Sequence, residues 1–312
     1  MFIFIVSIGY IYTSYFMIDT SIKIIILNII IFMMLLCKLF RVLFPSVKRY
    51  IIRKKIKGDI DKDNFQLYYQ PIIDPIYENE IGFEALLRLK DKNGNMLSPS
   101  IFLKKIERAN MMFEITLWSL NKIINEYKII KEYDNIKNKN FYISMNISIK
   151  ELENEEFIYR AIKIALENNI AYGSICLEIV ESYSFDDLEK VKSAIYILRK
   201  YGYKIAIDDF GVKYSNLNTL ELFDFDIIKL DKCFIDNIIE SKLSKEVLIF
   251  ISKVALITNK VIVVEGVEES SQVDIVKSIH KKIYIQGYFY SKPISIIDLK
   301  KFNLCNNYYI KD

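Results

Sequence analysis

Residues 204–211 read KIAIDDFG, residues 225–231 FDIIKLD, residues 261–268 VIVVEGVE and residues 283–290 IYIQGYFY. Each is a strand-length run of β-branched and aromatic residues that ends in polar groups. Those groups are Asp208 and Asp209, Lys229, Glu265 and Gln286. A purely structural core is not built this way, because a buried charge is costly unless it is paired or holds a metal. Toward the N-terminus the pattern recurs in FQLYYQPI (65–72), GFEALLRL (82–89), FYISMNIS (141–148) and ICLEIVES (175–182), which carry Glu84, Asn146 and Glu178. Helix-length segments separate most of these runs, at 112–132, 151–169, 186–201, 234–258 and 270–281. Eight strands in βα alternation predict an α/β fold, a (β/α)8 TIM-like barrel, whose strand C-termini converge on one mouth.

The group types narrow the chemistry. Several carboxylates and one amide oxygen make a hard oxygen cage suited to Mg²⁺ or Mn²⁺. The adjacent pair Asp208 and Asp209 can bridge two ions about 3.5–4 Å apart, the spacing of two-metal phosphoryl chemistry. Lys229 offers a cation for a phosphate oxygen or an attacking water. Taken singly, each residue has a plainer reading. A strand-end carboxylate is more often a solvated rim group or a helix cap, and Lys229 or Arg88 more often an ordinary ion pair. Their joint occurrence, strand after strand, favours a site.

Composition excludes alternatives. The chain has one histidine, His280, in IVKSIHKK at the end of an amphipathic helix, where it reads as a surface or C-capping residue. Clustered-histidine metal sites and HExxH chemistry are therefore out. Cys37, Cys176, Cys233 and Cys305 form no CxxC pair, as expected of reduced cytosolic thiols. Residues 1–57 hold nine Lys/Arg against one Asp, whereas the rest holds 34 Lys/Arg against 38 Asp/Glu. The mildly acidic globular part argues against binding a nucleic-acid polymer.

The basic excess adjoins apolar sequence. MFIFIVSIGYIYTSYFMI (1–18) is just long enough to span a hydrocarbon core of ~30 Å at ~1.5 Å per residue. A second apolar run extends from Ile24 to Phe44, after a short turn at Asp19–Lys23, and Pro45 ends it. Lys48, Arg49, Arg53, Lys54, Lys55 and Lys57 follow, which fits the positive-inside rule. The expected organisation is a transmembrane anchor at 1–44, read as a two-helix hairpin, then a basic juxtamembrane linker at 45–62 that faces membrane lipids. The barrel follows at 63–304 and a tail at 305–312. A single long helix with the other run lying on the membrane is the competing arrangement. Either places the barrel in the cytoplasm at the inner membrane.

In order along the chain, these motifs resemble the EAL-domain family of cyclic di-GMP phosphodiesterases. The resemblance rests on Tyr69-Gln70-Pro71-Ile72, Glu84-Ala85-Leu86-Leu87-Arg88, Asn146-Ile147-Ser148 and Glu178-Ile179-Val180-Glu181-Ser182. It continues through Asp208-Asp209-Phe210-Gly211, Ile228-Lys229-Leu230-Asp231, Glu265-Gly266-Val267-Glu268, Gln286-Gly287-Tyr288 and Lys292-Pro293. It implies a barrel with its first strand reversed. It also implies two Mg²⁺ or Mn²⁺ ions, one held by Glu84, Asn146, Glu178 and Asp208, the other by Asp208, Asp209 and Glu265. Lys229 would position water, with Asp209 and Glu265 beside it as catalytic groups, and Gln70, Arg88 and Gln286 would contact the dinucleotide. Glu181 would brace the loop after the fifth strand, and Glu268 would lie near the second ion. The implied reaction opens cyclic di-GMP to linear pGpG. The resemblance also leaves room for a homodimer through the barrel, and for a weak or inactive cyclic di-GMP receptor. One departure concerns 212–217, where Lys213 stands for a family glycine and Asn216 for a serine.

Overall fold

A computed structural model describes residues 20–137, 139–180, 186–211, 219–280 and 282–302. The first apolar run (1–18), Glu181, the loop 212–217 and the tail with Cys305 lie outside the described residues. The chain divides into two compact units, Met1–Gly58 and Asp59–Asp312.

Helix α1 spans Thr20–Asp61 and is long and apolar enough to cross a membrane. Its apolar side chains from Ile24 to Phe40, with Leu43 and Phe44, are exposed. Two expectations change here. Thr20 to Lys23 are helical rather than a turn, and the helix runs through Pro45 instead of stopping there. Proline removes one backbone hydrogen bond. The helical bonds on either side of that gap remain, so the helix continues across it. The basic segment expected as a linker is thus the last third of a helix. A Schellman turn closes it: Asp63 adopts φ 52°, its N–H bonds Ile60 O at 3.0 Å, and the Asn64 N–H bonds Asp59 O at 2.9 Å.

The second unit is a closed barrel of eight strands. They are β1 (Phe65–Asp74), β2 (Asn79–Lys90), β4 (Tyr142–Ile147), β5 (Ile175–Val180), β6 (Tyr203–Phe210), β7 (Ile227–Leu230), β8 (Val261–Val264) and β9 (Ile283–Ile285). Two short strands extend it, β3 (Met96–Leu97) beside β2 and β10 (Ile294–Ser295) beside β1. From β2 round to β9 neighbouring strands are parallel. β1 is antiparallel to both β2 and β9 and closes the ring. The reason is local. Only residues 75–78 separate β1 from β2, and a connection so short makes a hairpin, whereas a parallel crossover needs a dozen residues or more.

Around the barrel lie α2 (Pro99–Arg108), α3 (Met112–Ile130), α4 (Ile149–Leu152), α5 (Glu155–Asn168), α6 (Leu188–Lys200), α7 (Thr219–Leu222), α8 (Lys242–Ile257), α9 (Ser270–Ile279) and α10 (Ile296–Leu299). The segment expected as one helix at 151–169 is split because Asn154 caps a new start, its side chain accepting from the N–H groups of Glu156 and Phe157. Likewise 234–258 becomes a 3₁₀ turn (Lys232–Phe234) and α8, which Ser241 caps. His280 caps the end of α9, as expected.

Period-two alternation sorts the strand residues. Ile143, Leu177, Ile205, Ile228 and Ile262 face the helices and join the main core. Their neighbours Tyr142, Cys176, Ala206, Ile227 and Val263, with Ile72, form a separate cluster that fills the barrel interior. Adjacent to the polar ends, Gly287 packs so tightly on the backbone of Val267 that a Cβ there would overlap its carbonyl oxygen. Gly287→Ala is therefore expected to cost about 2–3 kcal/mol, read as a lower denaturant midpoint at unchanged slope. An unaltered midpoint would show that these two segments separate freely.

Candidate active site

One ammonium group organises the mouth. Lys229 projects from β7 with a side chain only 2% exposed, and its Nζ lies 2.7 Å from Glu265, 2.8 Å from Glu178, and 3.2 Å from both Glu84 and Asp208. Glu84 also accepts hydrogen bonds from Gln286 Nε2 at 2.6 Å and from Asn146 Nδ2 at 3.0 Å. Gln286 Nε2 donates in addition to Gln70 Oε1 at 3.1 Å, and Gln70 Nε2 to Ser291 O at 3.2 Å. The expected residues Gln70, Glu84, Asn146, Glu178, Asp208, Lys229, Glu265 and Gln286 thus form one connected group.

Four carboxylates outnumber the three N–H donors of one ammonium. Lys229 donates to Glu84 and Glu178, and Asp208 Oδ1 and Glu265 Oε1 are buried without a hydrogen-bond partner, though both sit within ion-pair distance of it. The imbalance is visible in acidity. Burial pushes Glu178 well above the usual carboxylate range, with Lys229 opposing and Glu84 and Asp208 reinforcing. Burial likewise pushes Glu265 up to about 8. Glu84 goes the other way: burial would raise it, but the Lys229 charge and the hydrogen bonds from Gln286, Lys229 and Asn146 lower it. For Lys229, burial works against the charge, and the surrounding carboxylates overcome it and raise its pKa. Lys229 therefore keeps its proton at neutral pH.

Asp208 and Asp209 are neighbours on a strand, which ordinarily sends their side chains to opposite faces. Here Asp209 takes φ 52°, and the β6–β7 register shifts between Ile207 and Phe210. That bulge brings both carboxylates to one side. Asp208, Asp209 and Glu265 each offer an oxygen within 4.8 Å of the others, close enough to share an ion. Burial raises the pKa of Asp209, and Asp208 and Asp231 add to the effect. Under-served buried carboxylate oxygens, clustered at this spacing, fit a hard divalent cation.

Arg88 stands four residues beyond Glu84 on β2, half-buried, with Nη1 donating to Leu87 O at 2.9 Å. Glu268 does not join the cluster: it pairs with Lys232 at 2.6 Å near the surface. Period two directs residue 265 into the mouth, and Gly266 at φ 70° ends the strand before 268. Three residues of the neighbourhood have no role assigned from the sequence. Asp231 adds its charge near Asp209, while the hydroxyls of Ser144 and Tyr142 are buried inside the barrel with no hydrogen-bond partner. Their signal was available, since both lie at two-residue steps before Asn146 and so share its face.

Fold and site together define a closed (β/α)8 barrel with a carboxylate-and-lysine mouth. The family model described as "EAL domain" matches residues 53–293, and the chain belongs to that family. Among curated relatives, "Probable cyclic di-GMP phosphodiesterase PdeA" of Escherichia coli (strain K12) is 29% identical over 253 residues, covering 81% of this chain and 34% of its own. "Cyclic di-GMP phosphodiesterase PdeR" of the same organism is 27% identical over 250 residues, covering 79% and 36%. The chain thus spans about a third of the length of these relatives. The solved structure of the EAL enzyme Bd1971 in its cAMP-bound form superposes with a TM-score of 0.74 at 25% identity, over 91% of this chain and 76% of that one.

The strained bulge yields a test. Asp209→Gly removes both a left-handed non-glycine residue and a carboxylate crowded against Asp208, relief of about 1 kcal/mol. The metal-free melting temperature should rise by about 2–4 °C while Mn²⁺ affinity measured by calorimetry falls. A variant that melts lower would show that Asp209 stabilises the fold rather than straining it.

Proposed function

We propose that this chain is a metal-dependent phosphodiesterase that hydrolyses cyclic di-GMP to linear pGpG at the cytoplasmic membrane. The observation that carries the proposal is the convergence of Glu84, Glu178, Asp208 and Glu265 on Lys229 at one barrel mouth. Membership of the EAL family and the names of PdeA and PdeR support the substrate.

Glu84, Asn146, Glu178 and Asp208 would hold one Mg²⁺ or Mn²⁺, and Asp208, Asp209 and Glu265 the second. Such ions, when bound, lower the pKa of water and offset charge on the phosphate. The protein's own groups do the rest. Lys229, held among these carboxylates, would serve as a cation and hydrogen-bond donor to water or phosphate oxygen. Gln70 and Gln286 are already locked to each other and to Glu84, which orients their remaining polar atoms without further ordering. Arg88 offers its guanidinium to the dinucleotide above them. Hydrolysis forms one P–O bond from water, breaks the ester P–O bond, and leaves a free hydroxyl on the departing ribose.

The apolar part of helix α1, followed within the same helix by the basic run from Lys48 to Lys57, supports a membrane anchor with the barrel on the cytoplasmic side. Full-length protein should pellet with membranes, and recovery mainly in the soluble fraction would overturn the anchor.

Full-length protein in detergent, supplied with Mg²⁺ or Mn²⁺, should convert cyclic di-GMP to pGpG in a chromatographic assay and stop when chelator is added. Glu84→Ala should lower turnover on the order of 10²-fold or more. Wild-type turnover in that variant would sink the metal assignment. Retention of intact cyclic di-GMP by the wild type, with no product, would make the protein a receptor instead.

A further inference from the structure

The β1–β2 hairpin does not end at the mouth. Its register pairs Gln70 with Glu84 and then climbs through Tyr68 opposite Leu86 to Gln66 opposite Arg88. At about 3.3 Å per residue, Arg88 sits roughly 13 Å along the strand from Glu84. Along β1, Phe65, Leu67 and Tyr69 are buried, whereas Gln66 and Tyr68 are half-exposed, so the latter two share the face of Gln70. The hairpin thus raises a wall beside the carboxylate group.

On that wall Arg88 and Tyr68 are diagonal cross-strand neighbours, and the Arg88 guanidinium carbon lies 5.5 Å from the centre of the Tyr68 ring. Tyr288, 56% exposed and two residues after Gln286, is near enough to act on the Arg88 charge, and Lys292 Nζ lies 5.8 Å from its ring centre. Arg88 spends one donor on its neighbour Leu87 O, and its guanidinium lies over the Tyr68 ring. A long flexible side chain at the edge of a site would otherwise lose rotamer freedom on every binding event.

We infer that Tyr68 is a positioning residue: its ring holds Arg88 ready for a guanine dinucleotide, and the row Tyr68–Arg88–Tyr288–Lys292 is the surface on which the part of that ligand away from the metal group rests. The inference depends on the proposed cyclic di-GMP substrate. It separates two tasks: the carboxylate group supplies the chemistry, and the wall supplies affinity.

The test compares Tyr68→Leu and Tyr68→Phe in the full-length protein. Tyr68→Leu should raise KM about fivefold with kcat within about twofold, and Tyr68→Phe, which keeps the ring, should return KM to within about twofold of wild type. Mn²⁺ affinity by calorimetry should be the same in all three, which a general structural defect would not allow. An unchanged KM in Tyr68→Leu, or a Phe variant as impaired as the Leu variant, would overturn the inference. So would parallel losses of kcat and Mn²⁺ affinity. If wild type binds cyclic di-GMP without cleaving it, the phosphodiesterase reading fails alone. The same variants are then ranked by Kd, with a fivefold loss in Tyr68→Leu restored in Tyr68→Phe upholding the inference and equal Kd values ending it.

Discussion

A lone ammonium group facing four buried carboxylates is the constraint on which the rest of this barrel depends. Removing charges from water is costly, and mutual attraction repays the cost only if every group is satisfied. Here satisfaction is incomplete by construction. Lys229 cannot donate to all of Glu84, Glu178, Asp208 and Glu265, and two of their oxygens go without a hydrogen bond. Burial answers by raising Glu178 and Glu265 toward their neutral forms. Such an arrangement is poor as a structural element and well suited to a cation-binding one, because an entering divalent ion supplies what the lysine cannot. The apolar layer below, Ile72, Cys176, Ala206, Ile227 and Val263, keeps the group from relaxing downward into the barrel.

Strain is placed where it has a use. Asp209 is a left-handed non-glycine residue at the end of a core strand, a cost of about 1 kcal/mol. The return is that two sequence neighbours face the same point, which no regular strand permits. Asp tolerates this conformation better than most residues, and its carboxylate is the group the site requires. The flanking strands absorb the irregularity as a register shift, so the barrel stays closed around it.

Much of this was legible in the sequence, for identifiable reasons. Strands with apolar bodies and polar C-terminal ends announce both a barrel and its mouth, because period two and burial energetics act on the same residues. Asp208, Lys229, Glu265 and Gln286 emerge from that logic alone. What stayed hidden depends on contacts between distant residues. That Lys229 joins four carboxylates, or that Glu268 turns outward to Lys232, follows from three-dimensional register rather than from spacing. Pro45 misled because a proline that removes one helical hydrogen bond was read as a stop, whereas the helix continues through it. The segment 151–169 misled because Asn154 was counted as helix interior when its side chain caps a new start. The short helix α2 was missed although Pro99 stands at its first turn, a favoured place for proline.

The reversed first strand sets the geometry above the mouth. In a barrel of eight parallel strands, every group above the mouth comes from a βα loop, and loops are where backbone freedom concentrates. Turning β1 round converts the first connection into a hairpin whose tight end lies at the floor and whose open end rises past the mouth. Gln70 is thereby delivered to Glu84 by strand pairing, and Tyr68 is set against Arg88 by the same ladder. A ligand meeting this wall meets side chains already ordered by main-chain hydrogen bonds, so less freedom remains to be lost on binding. The Schellman turn at Asp63 and Asn64 leads directly into that hairpin, and Lys90 N–H bonds Asn64 O at 2.8 Å, fastening its open end. One topological exception thus accounts for the closure of the barrel, the fixed pose of Gln70 and the stiffness of the wall above the carboxylates.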